Sequence, residues 1–86
     1  EISPNPFNPE TRIEFATEVE GHCALEVYDL AGAKITELIN GSLDAGRHSV
    51  TWDGRDANGK AVASGTYLFR LTTPTETLTR RAVLLK

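Results

Sequence analysis

Trp52-Asp53-Gly54-Arg55-Asp56-Ala57-Asn58-Gly59-Lys60-Ala61-Val62-Ala63-Ser64-Gly65-Thr66-Tyr67-Leu68-Phe69-Arg70-Leu71 holds two strand signals with a turn between them. His48, Val50 and Trp52 alternate with polar residues on the approach, and Tyr67, Phe69 and Leu71 alternate beyond it. A period of two gives a strand one apolar face. Between these segments stand Asp53, Gly54, Asp56, Asn58 and Gly59, residue types that turn a chain by bonding their own backbone or by reaching positive φ. Two period-2 segments joined in this way are antiparallel strands of a β-domain.

The same pattern extends outward in both directions. Residues 11–17 alternate with Ile13 and Phe15 inward, and Glu20-Gly21-His22 is read as a turn. Residues 23–29 place Cys23, Leu25 and Val27 on one face and Glu26 and Tyr28 on the other. A tight connection over 30–33 leads to a strand over 34–39. Ile35, Leu38 and Ile39 would also suit a turn of helix, but Gly32 ahead and Asn40-Gly41 behind favour extended chain. A turn over 43–46, a hairpin at Pro74-Thr75-Glu76 and a final strand over 77–85 complete the reading. Short strands with turns roughly every ten residues predict an all-β fold, an immunoglobulin-like antiparallel sandwich of about seven strands.

Eighty-six residues make one domain. Residues 1–9 form a Pro-rich lead-in, stiffened by Pro4, Pro6 and Pro9 with Phe7 as an anchor, and residues 10–86 form the sandwich. The abrupt start at Glu1 is read as that of a module within a longer protein. Net charge is −3, with 24% charged residues spread along the chain. No basic stripe is present to neutralise phosphates, so nucleic acid is not an expected partner. No apolar run reaches the ~18 residues of a membrane-spanning helix. Cys23 is the single cysteine, which excludes an intramolecular disulfide. In an apolar strand it is expected to be a buried, inert thiol.

The sharpest polar constellation is Asp53, Asp56 and Asn58. Carboxylate and amide oxygens on a Gly-rich loop suit Ca²⁺, and they equally suit a turn that satisfies its own amides. Position 12 of the loop is Ser64, where an EF-hand has its bidentate glutamate, so an ion here would be structural. Both readings stay open, and no cofactor is required. His22 and His48 match no zinc spacing. Glu14, Glu26 and Glu37 are conceivable as paired acids, but alternation puts Glu14 and Glu26 on solvent faces. No serine or threonine sits in a nucleophile motif, so the domain is expected not to be an enzyme. Tyr28, Trp52, Tyr67 and Phe69 could stack on sugar, although the parity of Trp52 and Phe69 favours core packing. The tail, Arg80-Arg81-Ala82-Val83-Leu84-Leu85-Lys86, reads as a closing edge strand with a cationic end, or as a segment that another protein pairs with.

Three blocks, in order and in register, resemble the C-terminal sorting domains of the type IX secretion system and the related FlgD-like immunoglobulin domains. They are Pro4-Asn5-Pro6-Phe7-Asn8-Pro9-Glu10-Thr11 with the strand after it, residues 25–32 through 45–56, and Val62-Ala63-Ser64-Gly65-Thr66-Tyr67 with the tail over 81–86. The resemblance spans essentially the whole chain. It implies a seven-stranded sandwich that is non-catalytic and covalently joined to a larger exported cargo. An outer-membrane translocon would read it and a sorting peptidase would often remove it, placing the protein outside the cell or on its surface by way of the periplasm. The implied recognition residues are Gly65, Tyr67, Val83, Leu84, Leu85 and Lys86. Arg81 stands where that family often has lysine. The FlgD-like relatives imply an alternative, assembly of a flagellar hook cap, which usually carries the domain internally. The chain's end at Lys86 favours sorting. A spacer or carbohydrate-binding module of a secreted enzyme is a further alternative.

Overall fold

Alternation becomes architecture most directly in the middle of the chain. In a computed structural model that describes residues 2–3 and 10–85, β3 (Gly21–Asp29) buries Cys23, Leu25 and Val27, and β6 (Gly65–Thr72) buries Tyr67, Phe69 and Leu71. These two strands pair antiparallel with Leu25 opposite Leu71 and Val27 opposite Phe69. Their apolar faces therefore form the floor of one sheet. β4 (Lys34–Leu43) and β7 (Thr77–Leu84) flank them, giving the order β4-β3-β6-β7. The second sheet is β1 (Ile2–Ser3), β2 (Thr11–Thr17) and β5 (Gly46–Trp52), with β2 central. Every pairing is antiparallel. The lead-in prolines and Phe7 lie outside the described residues, as does Lys86.

The core forms where the two sheets face each other. Ile13 of β2 and Trp52 of β5 meet Leu25, Val27, Tyr67, Phe69 and Leu71 from the facing sheet, with Ala82 and Leu84 of β7 closing one side. Trp52 lies edge-on to both Tyr67 and Phe69, at centroid distances of 5.3 and 5.6 Å. The four aromatics that could have stacked on sugar are thus mostly core, as the parity of Trp52 and Phe69 favoured, since three of the four rings are buried. Cys23 is fully buried on β3, as its strand position predicted.

Two boundaries differ from the sequence reading. Glu20-Gly21-His22 is not one turn, because Gly21 and His22 already pair with Leu43 and Ser42 of β4. Asn40-Gly41 does not end its strand, since β4 continues to Leu43. Further along, β4 carries two register shifts against β3, one between Leu25 and Glu26 and one between Val27 and Tyr28. Each bulge inserts one unpaired residue and resets the alternation. Ile35, Leu38 and Ile39 can then all pack against the core from one strand, and this is the origin of their helix-like spacing.

Gly21 starts β3 at φ 155°, and a Cβ there would lie 2.6 Å from Cγ of Pro74 in the β6–β7 turn. The proline ring is rigid and cannot swing aside. Gly21→Ala is expected to cost about 2–3 kcal/mol, combining overpacking with an unfavourable backbone conformation. Urea unfolding of that variant, and of one also carrying Pro74→Ala, measures it. The double variant should recover the part due to the clash.

Candidate functional site

The residues implied for recognition come from two distant stretches, and strand pairing brings them together. Gly65 lies opposite Leu84, Thr66 opposite Val83, and Tyr67 opposite Ala82. They occupy one end of the four-stranded sheet, where β7 is the edge. Within this end the residues divide sharply. Leu84 and Tyr67 are core side chains, 0% and 6% exposed, whereas Val83 and Leu85 are 37% and 49% exposed. The surface at this end is formed by Val83 and Leu85, while Tyr67 and Leu84 pack in the core.

Tyr67 holds more than its own strand. Its hydroxyl donates to the Ala63 carbonyl at 2.6 Å, fastening the loop that crosses between the sheets. Burial pushes its phenol pKa up, so the hydroxyl stays a donor. The same loop is fixed at its other end, where the buried Trp52 donates its indole N–H to the Arg55 carbonyl at 2.9 Å. Val62 N–H donates to Gly54 O, and Ala57 N–H to Ile35 O on β4. Gly54 is buried at φ 75°, a left-handed conformation that glycine tolerates best.

Within this loop the candidate metal residues already have work to do. Asp53 Oδ1 accepts the Arg55 N–H, and Asp56 Oδ1 accepts the N–H groups of Asn58 and Lys60. These are Asx turns, the bond pattern that makes aspartate a turn former. The Asp56 N–H in turn donates to Lys60 O. No group of three or more His, Cys, Asp or Glu side chains with metal-holding geometry occurs among the described residues. His48 is bonded instead to the Asp44 carbonyl and stacks near Phe15.

A polar strip crosses the outer face of the larger sheet. Arg70 donates to Glu26 Oε1 at 2.9 Å and to the Tyr28 hydroxyl at 2.7 Å, with its guanidinium 4.8 Å from the Tyr28 ring centre. Lys34 bridges Glu26 and Glu37 at 3.1 and 3.0 Å. Glu26 is the shielded member, its side chain 14% exposed. Hydrogen bonds from Arg70, then from Lys34, hold its pKa below the ordinary 4.5. A depressed folded-state pKa contributes stability that is fully present above the ordinary value and is lost as pH falls through the folded one. Acid titration below about pH 4.5 should therefore destabilise the domain less steeply in Glu26→Gln than in the parent, as read by the urea midpoint against pH.

The arrangement, a three-stranded sheet over a four-stranded one with a tyrosine bonded back across the β5–β6 corner, is that of an immunoglobulin-like sandwich. The family described as FlgD Ig-like domain matches residues 3–77. The chain belongs to the FlgD Ig-like family. Its fold is similar to part of PorZ from Porphyromonas gingivalis, described as an essential bacterial surface component of the type-IX secretion system, with a TM-score of 0.69 and 21% identity. That match covers 100% of this chain and 11% of PorZ. Latent PorU of the same organism gives a TM-score of 0.75 at 15% identity, covering 99% of this chain and 9% of PorU. FlgD of Xanthomonas campestris, described in relation to hook capping in flagellar assembly, gives 0.67 at 26% identity, covering 92% of this chain and 58% of FlgD. At their identities the two Porphyromonas structures establish likeness of fold. No curated protein sequence matched. This FlgD Ig-like domain thus corresponds to a small part of the first two relatives and just over half of the third. Among the described residues, no helix is long and apolar enough to cross a membrane.

In an Ig-like sandwich the corner tyrosine sits near the start of the sixth strand, and Tyr67 of this FlgD Ig-like domain is in that place. Sequence reasoning placed Tyr67 in the apolar face and missed its hydroxyl bond. The available signal was a tyrosine two residues beyond the Ser64-Gly65 turn, where a phenylalanine would pack as well but could not donate.

Proposed function

We propose that this FlgD Ig-like domain is a non-catalytic sorting and anchoring module, covalently part of a larger exported bacterial protein and read by the outer-membrane machinery of the type IX secretion system. The observation that carries the reading is the closing edge of the larger sheet. β7 ends in an alternation that buries Ala82 and Leu84 while exposing Val83 and Leu85, and a partner strand can add to such an edge with those two side chains giving specificity. The likeness of fold to PorZ and PorU supports it. The non-catalytic part follows from the resemblance, and the acids once conceivable as a pair are engaged in surface ion pairs, Glu14 with Arg12 and Glu26 with Arg70 and Lys34. On this reading the protein passes through the periplasm to the surface or the medium, and a sorting peptidase can cut ahead of the domain.

The test fuses residues 1–86 to a periplasm-directed fluorescent protein in a bacterium with this secretion system and scores reporter outside the outer membrane. Export of the fusion, and retention of the reporter alone, is the expected result. Reporter held in the periplasm in both cases would sink the reading. The higher identity to FlgD favours a second reading, assembly as in hook capping, which predicts closed rings of the isolated domain by light scattering. For the loop over 53–60 we propose a turn without metal. Its melting temperature is expected to stay unmoved by chelator or by millimolar Ca²⁺, whereas a Ca²⁺-dependent rise would assign it an ion.

A further inference from the structure

The sandwich is left open along one seam. On β7, residues 78, 80, 82 and 84 share a face, yet Ala82 and Leu84 are buried while Leu78 and Arg80 are exposed. Among the described residues, the facing sheet therefore covers only the second half of β7. Over the uncovered half lies a groove of about 180 Å³, with Leu25, Phe69 and Leu71 as its floor, Phe15 and Ala16 of β2 on one rim, and Leu78 on the other. Among the described residues β1 pairs Ile2 with Ile13 and Ser3 with Arg12, and beyond Ile13 no described strand lies on that side of β2.

The direction of β1 indicates what fits there. β1 runs antiparallel to β2, so continuing it backward along the fixed register sets the three positions before Glu1 opposite Phe15, Ala16 and Thr17. Directly opposed residues share a face. The positions opposite Phe15 and Thr17 would therefore face the core, since Phe15 packs against the core cluster and Thr17 is buried. We infer that the open edge of β2 is an acceptor for the chain that precedes Glu1 in the longer protein, which extends β1 by about one turn-free step of three residues and lays two alternate side chains into the groove. This rests on reading the domain as a module covalently joined to an upstream cargo. Its consequence is that the last residues of the linker belong to the sandwich, so a peptidase site must lie further upstream to be reached in extended form.

The test uses the 86-residue chain with short N-terminal extensions and does not involve export, so it fails or succeeds independently of the sorting proposal. One extension is Val-Thr-Val, which puts valines opposite Phe15 and Thr17. The other is Thr-Val-Thr, of the same composition class but opposite parity. Amide hydrogen exchange over residues 15–17, the urea midpoint and the mass in solution are measured for both. The expected result is a monomer in which Val-Thr-Val slows exchange in that segment roughly tenfold or more, the change that burying one valine would give, and raises the midpoint, while Thr-Val-Thr does neither to that degree. Equal exchange and equal midpoints for the two extensions overturn the inference. Protection that appears only with a concentration-dependent dimer also overturns it, because the strand would then come from a second copy.

Discussion

Trp52→Ala is expected to unfold most of the domain at growth temperature. The ring is 1% exposed and packs edge-on against Tyr67 and Phe69 at the centre of the core, and truncating such a ring costs about 3–5 kcal/mol. The indole N–H also anchors the inter-sheet loop through Arg55 O, a bond to a part-buried carbonyl worth about 1 kcal/mol. Small domains have only about 5–15 kcal/mol in total, and an 86-residue sandwich without a disulfide has no other staple. Urea unfolding followed by near-ultraviolet circular dichroism measures the loss. Trp52→Phe separates the causes: it keeps an aromatic core and loses the donor, so it should cost about 1–2 kcal/mol. Equal stability of the alanine variant and the parent would mean that the two sheets do not depend on this contact.

Replacing Val83 and Leu85 together by serine is expected to lower export of the reporter fusion by roughly tenfold or more while leaving the domain folded, since exposed apolar anchors at an interface carry about 2 kcal/mol or more of binding. Deleting the tail is a poorer experiment than the sequence suggests. Ala82 and Leu84 lie in the deleted segment and are 1% and 0% exposed, so deletion removes core as well as signal. Surface substitutions, in contrast, cost about 0.5 kcal/mol. The comparison that decides is with Leu84→Ala, which should lower stability by about 2–5 kcal/mol. If the serine variant is exported as well as the parent while Leu84→Ala is not, the machinery senses foldedness and not the edge, and the proposed recognition by Val83 and Leu85 fails.

Much of the fold was legible because two strands obey the simplest rule. Cys23, Leu25 and Val27 alternate along β3, as do Tyr67, Phe69 and Leu71 along β6, and all six are buried. β4 was less legible, since a bulge belongs to a pair of strands and leaves no mark on one of them except a broken alternation. Gly21 was read as a turn residue on type alone; its actual constraint is the ring of Pro74, fifty-three positions away in sequence. At the candidate site, sequence named residues that strand pairing gathers at one end of the larger sheet, but it could not separate the buried from the exposed among them. Val83 and Leu84 look alike in a string of apolar letters, and only the sheet's parity sends one outward and one into the core. The Asp-rich loop was ambiguous for a physical reason, because the oxygens that suit a cation are those that close Asx turns.

The bulges of β4 have a consequence for how many partners the larger sheet can hold. Its two edges are unlike. The β4 edge is twice interrupted in register and carries Lys34 and Glu37 in ion pairs, features that disfavour strand addition. The β7 edge also carries charge, at Arg80 and Arg81, but it pairs without a register shift along its whole length and ends in exposed apolar side chains. A sheet with two receptive edges is divalent, and divalent units grow into fibres. A sheet with one receptive edge terminates as soon as it is occupied. At the high local concentrations of a crowded compartment, this larger sheet would be capped by a single added strand, giving a one-to-one complex where a symmetric sheet would chain.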